Sequence, residues 1–100
     1  MNAQSELLPS SVHYFITAVV DPGVISRVTE LFALRGITPD FLKVSRYKQT
    51  ASIPENLSID IRVSNLGSAE QEVILQKLSS QICVQNVRKE EHFMIRKLSA

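Results

Sequence analysis

The sequence predicts an α+β fold, a ferredoxin-like βαββαβ sandwich with an antiparallel four-stranded sheet and two helices on one face. Three observations lead there. An apolar, β-rich run over 12–20 feeds directly into Asp21-Pro22-Gly23 and a segment with helical apolar spacing. Leu57, Ile59, Ile61 and Val63 then alternate with Ser58, Asp60, Arg62 and Ser64, and period two marks a strand with one dry and one wet face. Finally, the turn Asn65-Leu66-Gly67 is followed by a second helical segment and another apolar strand. Two split βαβ units with right-handed crossovers close that order into one antiparallel sheet.

Residues 1–11 end in Pro9-Ser10-Ser11 and read as a flexible N-terminal segment. From Val12 to Val20 only His13 and Thr17 are neither apolar nor aromatic, a pattern that suits a central strand buried on both sides. Asp21 can cap the first helix and Pro22 suits its first position, where a missing N–H costs nothing. That helix spans about 22–35, with Val24, Val28, Leu31 and Phe32 along one stripe. Gly36 is its natural stop, and Pro39 forbids further helix before a second strand over about 41–48.

A loop over 51–56 precedes the alternating third strand. Ser68-Ala69-Glu70-Gln71 has the form of a capping box. Ile74, Leu75, Leu78 and Ile82 give the second helix, or its exit, an apolar side, and a last strand covers about 82–88. The domain proper is expected over 12–90. The C-terminal tail, 91–100, carries Phe93, Met94, Ile95 and Leu98 among charges, as a short added strand or a docking segment.

Composition narrows the function. A chain of 100 residues, 44% hydrophobic and 21% charged, fits one soluble globular domain. Eleven basic against ten acidic side chains give a net charge of +1, so no overall field draws nucleic acid or an anionic membrane. The lone Cys83 excludes an internal disulfide and suits a reducing, cytoplasmic setting. The first residues carry neither a basic n-region nor a long apolar run, which argues against a secretion signal and a membrane span.

The fold hosts many chemistries, so the residues must decide between them. No pair of soft ligands stands in the first turn, and His13 and His92 lack ligand-like spacing, which leaves no metal site. Tyr14, Phe15, Phe41 and Tyr47 are scattered, and the third strand has no aromatic for stacking bases. Asp21 and Asp60 are the only acids near predicted strands, and three glycines make no phosphate cradle. No catalytic residue and no cofactor are expected. A binding or interaction module remains, and its most capable spot is the turn at Asp21, where backbone N–H groups sit at the positive end of a helix.

The apolar strand, Asp21-Pro22-Gly23, then Val24-Ile25-Ser26-Arg27-Val28, Leu31-Phe32 and Arg35-Gly36-Ile37 together resemble the ACT domain. The resemblance covers about 12–90 and is closest to the regulatory small subunit of acetohydroxyacid synthase (acetolactate synthase). It implies a dimer whose sheets join edge to edge. It also implies an amino-acid effector between the first turn of one protomer and the start of the second strand of the other. The site residues it implies are Asp21, Gly23, Val24 and Thr38. The Gly23 and Val24 N–H groups would hold the effector carboxylate, and Asp21 would meet its ammonium group. The implied role is non-catalytic: a short-form subunit that activates the thiamine-diphosphate-dependent catalytic subunit of branched-chain amino-acid biosynthesis. A free-standing amino-acid sensor acting on another enzyme or a transcription factor, and a purely structural module, are the alternatives the residues leave open.

Overall fold

The computed structural model describes residues 7–48, 50–52 and 54–95, with side chains described within 11–92 of that range. The elements follow the expected order: β1 (Leu7–Val19), α1 (Val24–Ala33), β2 (Phe41–Tyr47), β3 (Asn56–Ser64), α2 (Ser68–Ser79) and β4 (Val84–Ile95). The strands form one sheet in the order β2-β3-β1-β4, antiparallel at every junction. This is the ferredoxin-like arrangement.

The alternation in β3 decides the geometry. Leu57, Ile59, Ile61 and Val63 are buried, whereas Ser58, Asp60, Arg62 and Ser64 lie on the opposite face. In register with them, β1 buries Val12, Tyr14, Ile16 and Ala18. Val24, Val28 and Phe32 of α1, and Ile74 and Leu78 of α2, complete one core between sheet and helices. Removing these side chains from water is the main source of stability. Arg35 at the end of α1 pairs with Glu70 at the start of α2 through both carboxylate oxygens, tying the helices together at the surface.

The helix ends show how local chemistry sets the boundaries. Gly36 has φ +71, a conformation that costs an L side chain but not glycine. It lets the Ile37 N–H reach back to the Phe32 carbonyl at 2.9 Å, and its own N–H bonds the Ala33 carbonyl at 3.0 Å. Those two bonds close α1 in a Schellman arrangement. The expected stop at Gly36 is met.

Four expectations change. β1 begins at Leu7 rather than Val12, because β4 runs on to Ile95 and pairs Leu7 with Ile95 and Leu8 with Met94. β1 is central but buried on one face only: His13, Phe15 and Thr17 are half-buried, on the face opposite the helices. No capping box forms at α2, whose N-terminal flank Gly67 makes no side-chain cap. Gln71 is 1% exposed, and its amide group donates to the Leu66 carbonyl at 2.8 Å and to Glu91 at 3.0 Å. Its side-chain oxygen accepts from Lys89 at 3.0 Å. Tertiary partners on β4 therefore hold the side chain that local pattern assigned to the cap. Ile82 is fully exposed in the turn before β4 rather than part of the apolar side of α2.

Candidate functional site

The turn between β1 and α1 is built by Asp21. Its Oδ1 accepts the Gly23 N–H at 2.8 Å, and its main-chain carbonyl accepts the Val24 N–H at 3.1 Å. Regular α-helix begins at Val24, yet Gly23 already has helical angles of φ −84 and ψ −6. Asp21 thus caps the first turn with Pro22 in the opening position, as the sequence suggests. A consequence follows for chemistry. The Gly23 and Val24 donors, expected to face a ligand carboxylate, are both engaged inside the turn.

Arg27, one turn further along α1, folds back over this turn. A Cβ on Gly23 would meet its guanidinium carbon at 3.3 Å, so glycine is what lets the guanidinium lie against the backbone. Asp21 and Arg27 line the same pocket, of about 580 Å³, together with Val19, Ser80, Gln81, Ile82 and Cys83. The pocket wall is fixed by the Val19 N–H, which donates to the Cys83 carbonyl at 3.0 Å and fastens the end of β1 to the turn before β4. Cys83 is a free, buried thiol in that wall.

Thr38 lies elsewhere. It is exposed and lines a separate groove of about 690 Å³ along α1, with Ser26, Thr29, Glu30, Ala33, Gly36, Ile37 and Pro39. Within one chain the structure therefore brings Asp21, Gly23 and Val24 together and leaves Thr38 on a different groove. Arg27 is not among the residues the sequence singles out, although a cation four residues after Gly23 stands on the first helical turn.

The sheet face opposite the helices gathers a second group that sequence spacing alone scattered. His13 stacks on Phe15 with ring centroids 3.9 Å apart, and the edge of Phe41 approaches His13 at 6.4 Å. The Arg88 guanidinium covers Phe15 at 4.0 Å and that of Arg62 covers Phe41 at 4.8 Å. These cation–π contacts give Phe15 and Phe41 each a charged lid. His13 Nε2 is buried without a hydrogen bond, and the nearest Asp60 oxygen is 4.0 Å away. Burial pushes His13 below its ordinary value of 6.5, Arg62 and His92 adding to the effect and Asp60 and Glu90 opposing it. The signal was the odd-numbered positions of β1, which alternation places on one face.

Among the described residues no group of three or more His, Cys, Asp or Glu side chains could hold a metal ion. No described helix is long and apolar enough to cross a membrane. The model of the ACT-like domain family matches residues 5–94. The chain belongs to the ACT-like domain family. The match takes in every described strand and helix except the last residue of β4. An ACT-like domain is a regulatory domain, and membership points to an amino-acid-binding role. No curated protein matches the chain.

Proposed function

We propose that this ACT-like chain is a non-catalytic regulatory subunit of acetolactate synthase. In this reading it activates the thiamine-diphosphate-dependent catalytic subunit of branched-chain amino-acid biosynthesis in the cytoplasm and senses an amino acid. The observation that carries the reading is the Asp21-Pro22-Gly23 turn, closed by its own hydrogen bonds onto α1 within an ACT-like fold. The residues that point to the synthase are Ser26-Arg27-Val28, Leu31-Phe32 and Arg35-Gly36 on that helix. Asp21, Gly23 and Val24 form the effector turn, and Thr38 joins the site only when a second copy supplies it.

The proposed assembly is a homodimer through sheet edges. β2 supports this: it pairs with β3 alone, and its Phe41 and Leu42 are 38% and 44% exposed. An unpaired strand edge with apolar side chains invites pairing with another sheet. Nucleic acid and membrane are not partners in this reading, because a net charge of +1 supplies no overall field for either.

The test is reconstitution. Purified chain mixed with the catalytic subunit of acetolactate synthase should co-elute with it and raise its activity. Neither co-elution nor a change in activity sinks the synthase assignment. A stabilising shift with an amino acid would then leave a free-standing ACT regulator of another enzyme or transcription factor.

A further inference from the structure

The sheet face opposite the helices carries a charge pattern that follows from strand register. Residues directly opposite each other in an antiparallel pair share a face, so the pairings across β2-β3-β1-β4 define rows. One row runs Lys43-Asp60-Phe15-Arg88, and the next runs Phe41-Arg62-His13-Glu90. The rows that flank these two hold only Ser, Thr, Asn and His: Ser45-Ser58-Thr17-Asn86 on one side, Ser64-Ser11-His92 on the other. Both helices pack on the other face, and the ends of the two charged rows, Lys43, Phe41, Arg88 and Glu90, are exposed. The two rows are complementary column by column. Asp60 stands beside Arg62, Arg88 beside Glu90, Lys43 beside an aromatic ring, and Phe15 beside the His13 ring.

We infer that this face binds the same face of a second copy of the chain, about a two-fold axis that crosses the strands between the two charged rows. Such an axis lays each charged row of one copy on the other charged row of its partner. Asp60 then meets Arg62, Arg88 meets Glu90, Lys43 lies over the Phe41 ring, and Phe15 packs against His13. Each contact is made twice, as two-fold symmetry requires. The strands of the two sheets stay aligned, the common relation in a sandwich, with about 10 Å between the sheets. Each charge leaves water against an opposite charge or a ring face, which offsets its desolvation. Other placements of the axis lose the match. On the first row it opposes Lys43 to Lys43, Asp60 to Asp60 and Arg88 to Arg88; on the second it opposes Arg62 to Arg62 and Glu90 to Glu90. Turned to run along the strands between β3 and β1, it opposes Lys43 to Arg88. The pairing uses the sheet face and not the β2 edge, so it is independent of the edge-to-edge dimer proposed above, and together the two contacts make a tetramer.

The experiment is sedimentation equilibrium of the full chain over a range of chain concentrations. Asp60→Arg and Arg62→Asp each oppose like charges twice across the axis. Each should weaken self-association by roughly a hundredfold or more and halve the mass of the assembly. In an equimolar mixture of the two variants these positions meet opposite charges again, so the mixture should return to the wild-type mass. Mixing cannot repair a variant that has lost its fold, which separates the interface from stability. The Asp60→Arg/Arg62→Asp double variant should assemble on its own, because exchanging the two charges preserves the match. A wild-type chain that stays monomeric throughout overturns the proposal; if Arg62→Asp then abolishes capture by the catalytic subunit of acetolactate synthase, the face belongs to that different protein. An assembly of unchanged mass in both single variants also overturns it, and leaves edge-to-edge pairing as the contact that holds the copies. A loss of mass that neither mixing nor the double variant restores overturns it as well.

Discussion

The Tyr14 hydroxyl donates to the Gln71 main-chain carbonyl at 2.8 Å, joining the middle of β1 to the first turns of α2. Both residues are almost wholly buried, so neither group has water as a substitute partner. The Gln71 side chain continues the connection to Leu66, Lys89 and Glu91, and Lys89 also pairs with Glu72 at 3.0 Å. A polar network thus crosses from β1 through α2 to β4, at Gln71, the one buried polar side chain among the described residues. Burial first, then the charges of Glu72, Glu70 and Glu91, push the Tyr14 hydroxyl well above its ordinary value of 10.0, so it remains a donor across the range in which the chain is folded.

Tyr14→Phe removes that donor and keeps the ring, whose edge meets Phe32 with centroids 5.9 Å apart. The Gln71 carbonyl is left without this partner, which should cost about 1 kcal/mol. For a domain of this size, that is a fall in Tm of roughly 4–8 °C. Calorimetry of the two proteins checks it. An unchanged Tm would mean that the carbonyl finds another donor.

Gly36→Ala isolates a backbone effect. A Cβ at Gly36 would have nothing within 4 Å, so no clash contributes and the cost comes from φ +71 alone. The expected loss is about 1–2 kcal/mol in urea unfolding with an unchanged slope. Gly36→Asn should lose less, since asparagine tolerates the left-handed region better than alanine. Equal losses for the two variants would show that the Schellman closure of α1 does not depend on this angle.

How far the sequence foretells these features depends on the range of the interaction. Leu57, Ile59, Ile61 and Val63 declare their face through alternation alone, and Gly36 declares the helix end through the one conformation glycine adopts freely. Asp21-Pro22-Gly23 likewise carries its turn within three residues. Gln71 does not, because what outbids its local capping role is Lys89 and Glu91, which the fold brings from β4. Leu7 and Leu8 lack a visible strand signal for a similar reason: their partners, Ile95 and Met94, lie at the other end of the chain. The site divides in the same way. Asp21 was legible from capping chemistry, whereas the shared pocket with Arg27 exists only once the Ser80–Cys83 turn packs against the end of β1.

His13 gives the fold a pH dependence with a definite sign. Burial lowers its folded value below 6.5, so in mildly acidic solution the unfolded chain binds more protons there than the folded one. Its contribution is therefore fully present above pH 6.5 and is lost as the pH falls through the lowered folded value. Protonation would also charge a ring stacked on Phe15, with Asp60 at 4.0 Å as the nearest compensating carboxylate. Urea unfolding between pH 7 and pH 5 should show stability falling toward acid. His13→Phe, which keeps an aromatic ring against Phe15, should make that fall shallower. A steeper or identical profile in the variant would assign the acid sensitivity to other groups.

Gly23→Ala separates the fold from the pocket. With φ −84 the backbone at Gly23 suits any L residue, so the turn itself imposes no strain. The atoms nearest the added Cβ would be those of the Arg27 guanidinium, at 3.3 Å and 3.5 Å, and that group is the mobile end of an exposed side chain. The guanidinium must move while α1 stays in place. Thermal unfolding without ligand should shift by no more than a few degrees, the scale of roughly 0.5 kcal/mol at a helix N-terminus. In the proposed reading the stabilisation that a saturating amino-acid effector adds, about 1.4 kcal/mol at ten times Kd, should shrink because the added methyl group stands at the effector turn. A variant that keeps the full ligand-induced shift would place the effector away from Gly23. A variant that unfolds outright would show instead that this glycine serves the turn's own packing.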